Sequence, residues 1–326
     1  MNELYPLKFK PIFKDKIWGG RKAKTVFGLD FDPLPNCGEV WVLSGYPGNE
    51  SEVCNGFLEG NSLSELTEVY MADLLGDKVF DCFGTEFPLL IKILDSNDWL
   101  SIQVHPDDEL AAKRHSGSGK TEMWYVIDAE PGAELISGFK SRITPEKYLE
   151  RIKNKSLASV LNYEKAKAGD VFFIPAGRVH AIGPGLFIAE IQQSSDTTYR
   201  IYDFDRLDDA GKPRDLHTEL ALDAIDFELH EDIRTQYTSS LNKTGTLVDS
   251  PYFHTGMLHF NKQVVADYNQ LDSCVILLCI QGLCSVVYPG GSESLKAGEV
   301  MLIPAEITEI RLVPEKETRL LEIYLP

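Results

Sequence analysis

The sequence has no CxxC pair. Its six cysteines, Cys37, Cys54, Cys82, Cys274, Cys279 and Cys284, stand apart, several of them inside apolar runs. A cysteine-based zinc site is therefore not expected, and reduced, mostly buried thiols are. Long hydrophobic runs are also missing. The longest, CVILLCI at 274–280, falls far short of the ~18 residues of a membrane span. The first residues, MNELYPLKFKPIFKD, lack the apolar core of a signal peptide, so a cytoplasmic protein without membrane association is expected. Positive charge is scarce: 32 Lys and Arg face 50 Asp and Glu, a formal net charge of -18. That balance argues against nucleic acid and anionic membrane surfaces. It leaves a small anionic substrate open, because such a ligand answers to the local field of a pocket. Oligomeric state is not legible in these features.

What is present is an ordinary globular composition, 43% hydrophobic over 326 residues, with room for two domains. Strand signals dominate: GEVWVLSG, FPLLIKIL, EMWYVI, DVFFIPA, LFIAEIQ, CVILLCIQG, CSVVYPG, EVMLIPA and RLLEIYLP are short apolar runs between turn formers. Helical signals are fewer. NSLSELTEVYMADLLG carries a Ser62/Glu65 capping box and ends at Gly76. A second helix is expected from Thr144-Pro145 to about Val160, with proline at the favoured first position, and a third after Asp215. One repeat organises the chain. KAGDVFFIPA at 167–176 returns as KAGEVMLIPA at 296–305, seven of ten positions identical at an offset of 129. In each copy glycine supplies the turn, a strand follows, and proline closes it. Two related β-barrels in tandem are expected, the first carrying the helical insertions.

Continued past the proline, the copies diverge: His180 in the first stands at the offset of Glu309 in the second. One barrel with a site and one without would look like this, although a strand-end histidine of no consequence is the plainer alternative. In LSIQVHPDDEL, Gln103 and His105 share a strand face, which suits either a metal site or a solvated surface. HSGSGKTE at 115–122 brushes against a phosphate-binding loop, but Arg114 occupies the position of the first glycine and a strand follows, not a helix. Asp107-Asp108-Glu109 reads as the acidic first turn of a helix. His254 and His259 read as ordinary sheet residues without a carboxylate partner.

Gly169, Pro175, Gly177 and His180, spaced G-x5-P-x-G-x2-H, resemble the second motif of the cupin superfamily. Gln103-Val104-His105 and Glu122 of KTEMWYVI stand in for its first. PIFKDKIWGG at 11–20, GEVWVLSGYPGNES at 38–51 and QVHPDD at 103–108 are similar to the type I mannose-6-phosphate isomerases, compact bacterial branch. The resemblance covers most of residues 5–205. It implies a mainly β fold of tandem cupin (jelly-roll) barrels, with residues 1–237 a catalytic cupin domain with helical insertions and 238–326 a second, metal-free cupin-like domain. It also implies Gln103, His105, Glu122 and His180 as ligands of one zinc ion per chain. Two imidazoles, a carboxylate and an amide oxygen suit such a borderline metal. Carried over residue by residue, Lys120, Glu190 and Arg200 are the implied catalytic groups, and Lys92 with Ser101 the implied phosphate contacts. For Lys92 an edge-strand lysine reaching water is the bland alternative. The implied reaction interconverts mannose 6-phosphate and fructose 6-phosphate through an enediol(ate). A related isomerase or epimerase for another sugar, a sugar-binding protein without catalysis, and an iron dioxygenase are the competing readings.

Overall fold

The computed structural model describes residues 3–207 and 211–326. The fold is mainly β, built as two pairs of facing sheets with helices at the periphery. In the first pair, a six-stranded sheet runs in the order Ile12–Lys14, Glu39–Ser44, Leu89–Ser96, Leu186–Gln193, Glu122–Ala129, Val171–Ile174. Facing it, a five-stranded sheet runs Tyr199–Tyr202, Ile102–Val104, His180–Ile182, Glu134–Phe139, Leu161–Lys165. The second pair is drawn from residues 243–324, with one exception: Leu7–Lys8 pairs with Val300–Ile303 and so closes a sheet made by the other end of the chain. A two-residue strand is too short to announce itself by alternation.

Burial explains the layering. Between the first two sheets lie Trp18, Leu94, Trp124, Val126, Phe172, Ile182 and Ile188. The five-stranded sheet also buries its other face, Ile102, Val104, Val179, Ala181 and Ile201, against Tyr148 of the helix Pro145–Lys153 and Ala221 of the helix Thr218–Ala224. The six-stranded sheet turns Val42, Ile91, Ile93, Met123 and Ile191 toward Leu278, Leu302, Leu321 and Ile323 of the C-terminal half. The central strands are therefore apolar on both faces. A polar residue pointing inward there stands out against the background.

The helices follow their sequence signals with two adjustments. The capping box of Ser62 and Glu65 is formed in both directions, and the helix Leu63–Leu75 ends before Gly76, whose φ is +94°. A Cβ on Gly76 would lie 2.6 Å from the Asp272 carbonyl, so this turn needs glycine for space as well as for backbone angle. The second helix stops at Lys153, short of Val160; Lys155 adopts φ +51° and a 3-10 turn covers Leu157–Val160. The acidic run behaves as an N-terminus: Asp107 accepts from the Leu110 amide at 2.8 Å and caps the helix Asp108–His115.

The internal repeat is structural. Gly169 and Gly298 take φ +90° and +88°. The following acids also match: the Asp170 carboxylate accepts from the Lys167 amide at 3.0 Å and that of Glu299 from Lys296 at 3.2 Å. Strands Val171–Ile174 and Val300–Ile303 follow. The copies part after the proline. His180 is fully buried, whereas Glu309 is exposed and its neighbours Ile310 and Leu312 face the C-terminal core. The strand facing has slipped by one residue, which turns the equivalent position outward.

Candidate active site and metal centre

Six strands of the facing sheets bring the chemistry together. His180 opens its strand directly across from Gln103, and Gln103 lies across from Arg200 on its other side. On the opposite sheet Glu190 stands between Lys92 and Trp124, and Gln192 is opposite Glu122. His105 follows its strand immediately, with its carbonyl held by the Gly177 amide at 2.9 Å.

His105, Glu122 and His180 converge. Their exposures are 2, 1 and 0%, so all three are buried. His105 Nε2 lies 3.5 Å from one Glu122 oxygen and His180 Nε2 lies 3.4 Å from the other. Each imidazole donates its Nδ1–H to a backbone carbonyl, His105 to Thr197 at 2.9 Å and His180 to Arg178 at 2.8 Å. Those bonds fix the tautomer and turn both Nε2 lone pairs inward. Burial is the main cause that holds His105 well below the usual histidine value and His180 at about 4, with the Lys120 charge adding to both. Both rings are therefore neutral at pH 7. Two nitrogen lone pairs and the Glu122 Oε2 face one another without a hydrogen-bond partner among the described residues. Burial, then the neighbouring Glu190, push Glu122 up to about 8.

Three acceptors aimed at one point form an arrangement that a cation resolves. Donors around a four-coordinate zinc lie ~3.3 Å apart; each imidazole lies at nearly that distance from its nearer Glu122 oxygen, and the three ligand atoms lie within 4.8 Å of one another. The residues present fit a divalent metal. Gln103 is half-buried at the edge of this cluster and lines the cavity beside it.

That cavity, of about 280 Å³, is lined by Lys92, Ser101, Gln103, Lys120, Glu190 and Arg200, six of the nine residues singled out from the sequence. Lys120 Nζ reaches Glu122 Oε2 at 3.6 Å, although its strand begins only at Glu122. Lys92 is no edge-strand lysine. It sits in the middle of the six-stranded sheet, 3% exposed, 5.2 Å from the centroid of the Trp41 ring and 3.3 Å from Glu190 Oε2. Burial by itself would lower its pKa; the Glu190 and Glu39 carboxylates outweigh that and raise it. Glu190 also accepts from Trp124 Nε1 at 3.0 Å. Arg200 donates to the Asp215 carbonyl at 2.9 Å, while its Nε has no partner among the described residues. Burial, then the nearby Arg214 charge, lower its pKa.

Sequence reading missed Lys16, Trp18, Glu39, Asp196, Thr198 and Arg214, which line the same cavity. Glu39 and Trp41 carried a signal, since they alternate onto one face of GEVWVLS; Trp41 Nε1 donates to Glu39 at 2.7 Å. Arg214 lies in a turn-rich stretch where no periodicity exists to read. His254 and His259 do meet carboxylates, Asp249 at 3.4 Å and Glu317 at 2.7 Å, but each meets one exposed acid, and among the described residues no second histidine joins them.

A mainly β fold of facing sheets with a buried His/Glu/His cluster that could hold a metal, at the end of a cation-lined cavity, has the layout of an enzyme site. Comparison with known proteins narrows this. Residues 6–140 match the family of the phosphomannose isomerase type I catalytic domain. Mannose-6-phosphate isomerase of Streptococcus mutans is 38% identical over 93% of this chain and 93% of its own. That of Bacillus subtilis is 38% identical over 94% and 95%. A crystal structure of the mannose 6-phosphate isomerase from Bacillus subtilis superposes with a TM-score of 0.89 at 33% identity, covering 98% of this chain and 99% of that one. The chain belongs to the type I phosphomannose isomerase family.

Proposed function

We propose that this protein is a metal-dependent aldose–ketose isomerase, interconverting mannose 6-phosphate and fructose 6-phosphate, with zinc held by His105, Glu122, His180 and Gln103. The observation that carries this reading is the buried convergence of the two Nε2 lone pairs on Glu122 beside a cationic cavity. A bound divalent ion would supply Lewis acidity toward the sugar carbonyl without redox chemistry. The chain's own groups have the remaining work. Isomerisation moves a proton between C1 and C2 through an enediol(ate). Lys120, next to Glu122, and Glu190 are the groups in position to relay that proton. The Arg200 guanidinium, whose Nε is unpartnered among the described residues, is suited to the negative charge that develops.

Spacing supports the 6-phosphate. Six single bonds separate C2 from phosphorus, ~7 Å when extended. Ser101 lies two residues from Gln103 along the strand, also ~7 Å at the usual rise. The carbonyl end would rest by the metal cluster while the phosphate reaches Ser101 and Lys92. Cations outnumber acids in the cavity lining, with Lys16, Lys92, Lys120, Arg200 and Arg214 against Glu39, Glu190 and Asp196. A dianion is therefore favoured locally despite the overall acidity. We further infer that residues 1–237 form the catalytic barrel and 238–326 a metal-free second one, with Leu7–Lys8 lent across.

The test is a coupled assay for fructose 6-phosphate formed from mannose 6-phosphate, run beside other phosphorylated and free aldoses. Turnover confined to mannose 6-phosphate supports the assignment. Turnover of another sugar alone would move it to a related isomerase, and none at all in metallated protein would leave a binding role.

A further inference from the structure

We propose that Arg214 is a further substrate-anchoring residue, holding the phosphate from the side opposite Lys92. This rests on the reading of the cavity as a sugar-phosphate site. Arg214 lines that cavity and its side chain is one-quarter exposed. Its Nε donates to Asp203 Oδ2 at 2.7 Å and its Nη2 to Asp203 Oδ1, so one carboxylate fixes the plane of the guanidinium. Of the five N–H donors of an arginine, the other three have no partner among the described residues. A guanidinium already locked by a carboxylate loses little further freedom on gripping an anion.

Asp203 is buried and shared. Arg206 donates to the same carboxylate and lies 3.5 Å from the exposed Asp98. Arg200, a neighbour in the cavity lining, has no carboxylate within ion-pair distance among the described residues. Arg206 and Arg214 thus share one buried acid while Arg200 lines the same cavity without an ion pair among the described residues, so positive charge gathers on this side of the cavity. Arg214 and Ser101, the hydroxyl assigned to the phosphate, line the same cavity, and Asp203 follows directly on the strand Tyr199–Tyr202 that pairs with Ile102–Val104. Lys92 comes from the facing sheet. Held on both sides, the phosphate end of a hexose would be fixed while its other end faces the metal cluster.

The experiment measures binding of fructose 6-phosphate by calorimetry, and KM and kcat for mannose 6-phosphate, in metallated wild type, Arg214→Ala and Arg214→Gln. Glutamine is uncharged but can still donate to Asp203, which guards against a loss caused by a disordered loop. The expected result is a rise in Kd and KM of ~10-fold or more, the range for a lost charged hydrogen bond, in both variants. Expected kcat stays within a few-fold, and metal content is unchanged. Wild-type affinity in Arg214→Gln would overturn the assignment, as would a fall in kcat with KM unmoved. If wild type itself binds no sugar phosphate, the reading of the cavity falls and this inference with it; binding that survives in both variants removes Arg214 alone.

Discussion

Replacing Lys92 by methionine should destabilise the protein strongly, and in a pH-dependent way. The amine lies 3.3 Å from Glu190 and is buried with it, and the described residues offer Glu190 no other ion pair. Lys92→Met keeps the apolar stem and removes the charge, leaving a buried carboxylate supported only by the Trp124 indole. Breaking a buried pair by removing one partner costs ~3–5 kcal/mol. For 326 residues, at ~2.1 cal/mol/K each, that is a fall in Tm of ~4–7 °C. The sign with pH follows from the carboxylates. Burial opposes ionisation of Glu39, yet Lys92, then Lys16, hold it at about 2. Its pairing therefore adds stability above its unfolded pKa, and that stability is lost as pH falls toward 2. In the variant, Glu190 is left buried without its ion-pair partner, a cost that applies to its charged form. The deficit should be larger at pH 8 than at pH 4.5. Thermal melts at both values measure it, and adding Glu190→Gln should restore much of the loss at pH 8. A variant melting within ~1 °C of wild type at pH 8 would refute the reasoning, as would a deficit that widens on acidification.

Three further outcomes are expected. Gly119→Ala should impair metal retention as well as stability, by ~1–3 kcal/mol. Its Cβ would meet the Asp107 carbonyl carbon and the Asp108 amide at 2.7 Å and displace the segment carrying Lys120 and Glu122; metal content after dialysis and a melting curve read both effects. Burial raises Asp95 to about 6 although it accepts from the Lys22 amide. A raised folded pKa penalises the charged form, so the cost is absent below the unfolded value near 3.8 and complete above 6. Unfolding free energies should show Asp95→Asn gaining on wild type by ~1–3 kcal/mol between pH 4 and pH 8. Trp124→Phe removes the donor to Glu190 and should lower kcat ~10-fold while the metal stays bound; an unchanged kcat would take Glu190 out of the proton relay.

The buried His105/Glu122/His180 cluster was legible because each member interrupts a pattern. His180 breaks the internal repeat, His105 ends an apolar strand before a proline, and Glu122 opens one. Lys92 was legible as an anomaly, a charge inside an apolar strand, but its surroundings were not. Glu39 and Trp41, which balance it, sit on a neighbouring strand whose place in the sheet depends on long-range pairing. The same limit hid Leu7–Lys8, whose partner lies almost three hundred residues away. It also hid the slip that turns Glu309 outward. Equal offset in two copies does not guarantee equal facing, because a single-residue change after the proline reverses every side chain that follows. Arg214 lines the cavity and is held by Asp203, a tertiary contact with no local signature.

The central claim is that isomerisation depends on one metal held by His105, Glu122 and His180. The most direct measurement strips the protein with a chelator, returns zinc in measured steps, and follows fructose 6-phosphate formation against bound metal, with Glu122→Gln alongside. The account predicts a rate that is negligible without metal, climbs in proportion to occupancy and levels at one ion per chain, with Glu122→Gln failing to hold the metal. Full turnover in metal-free protein, or in Glu122→Gln, would contradict it.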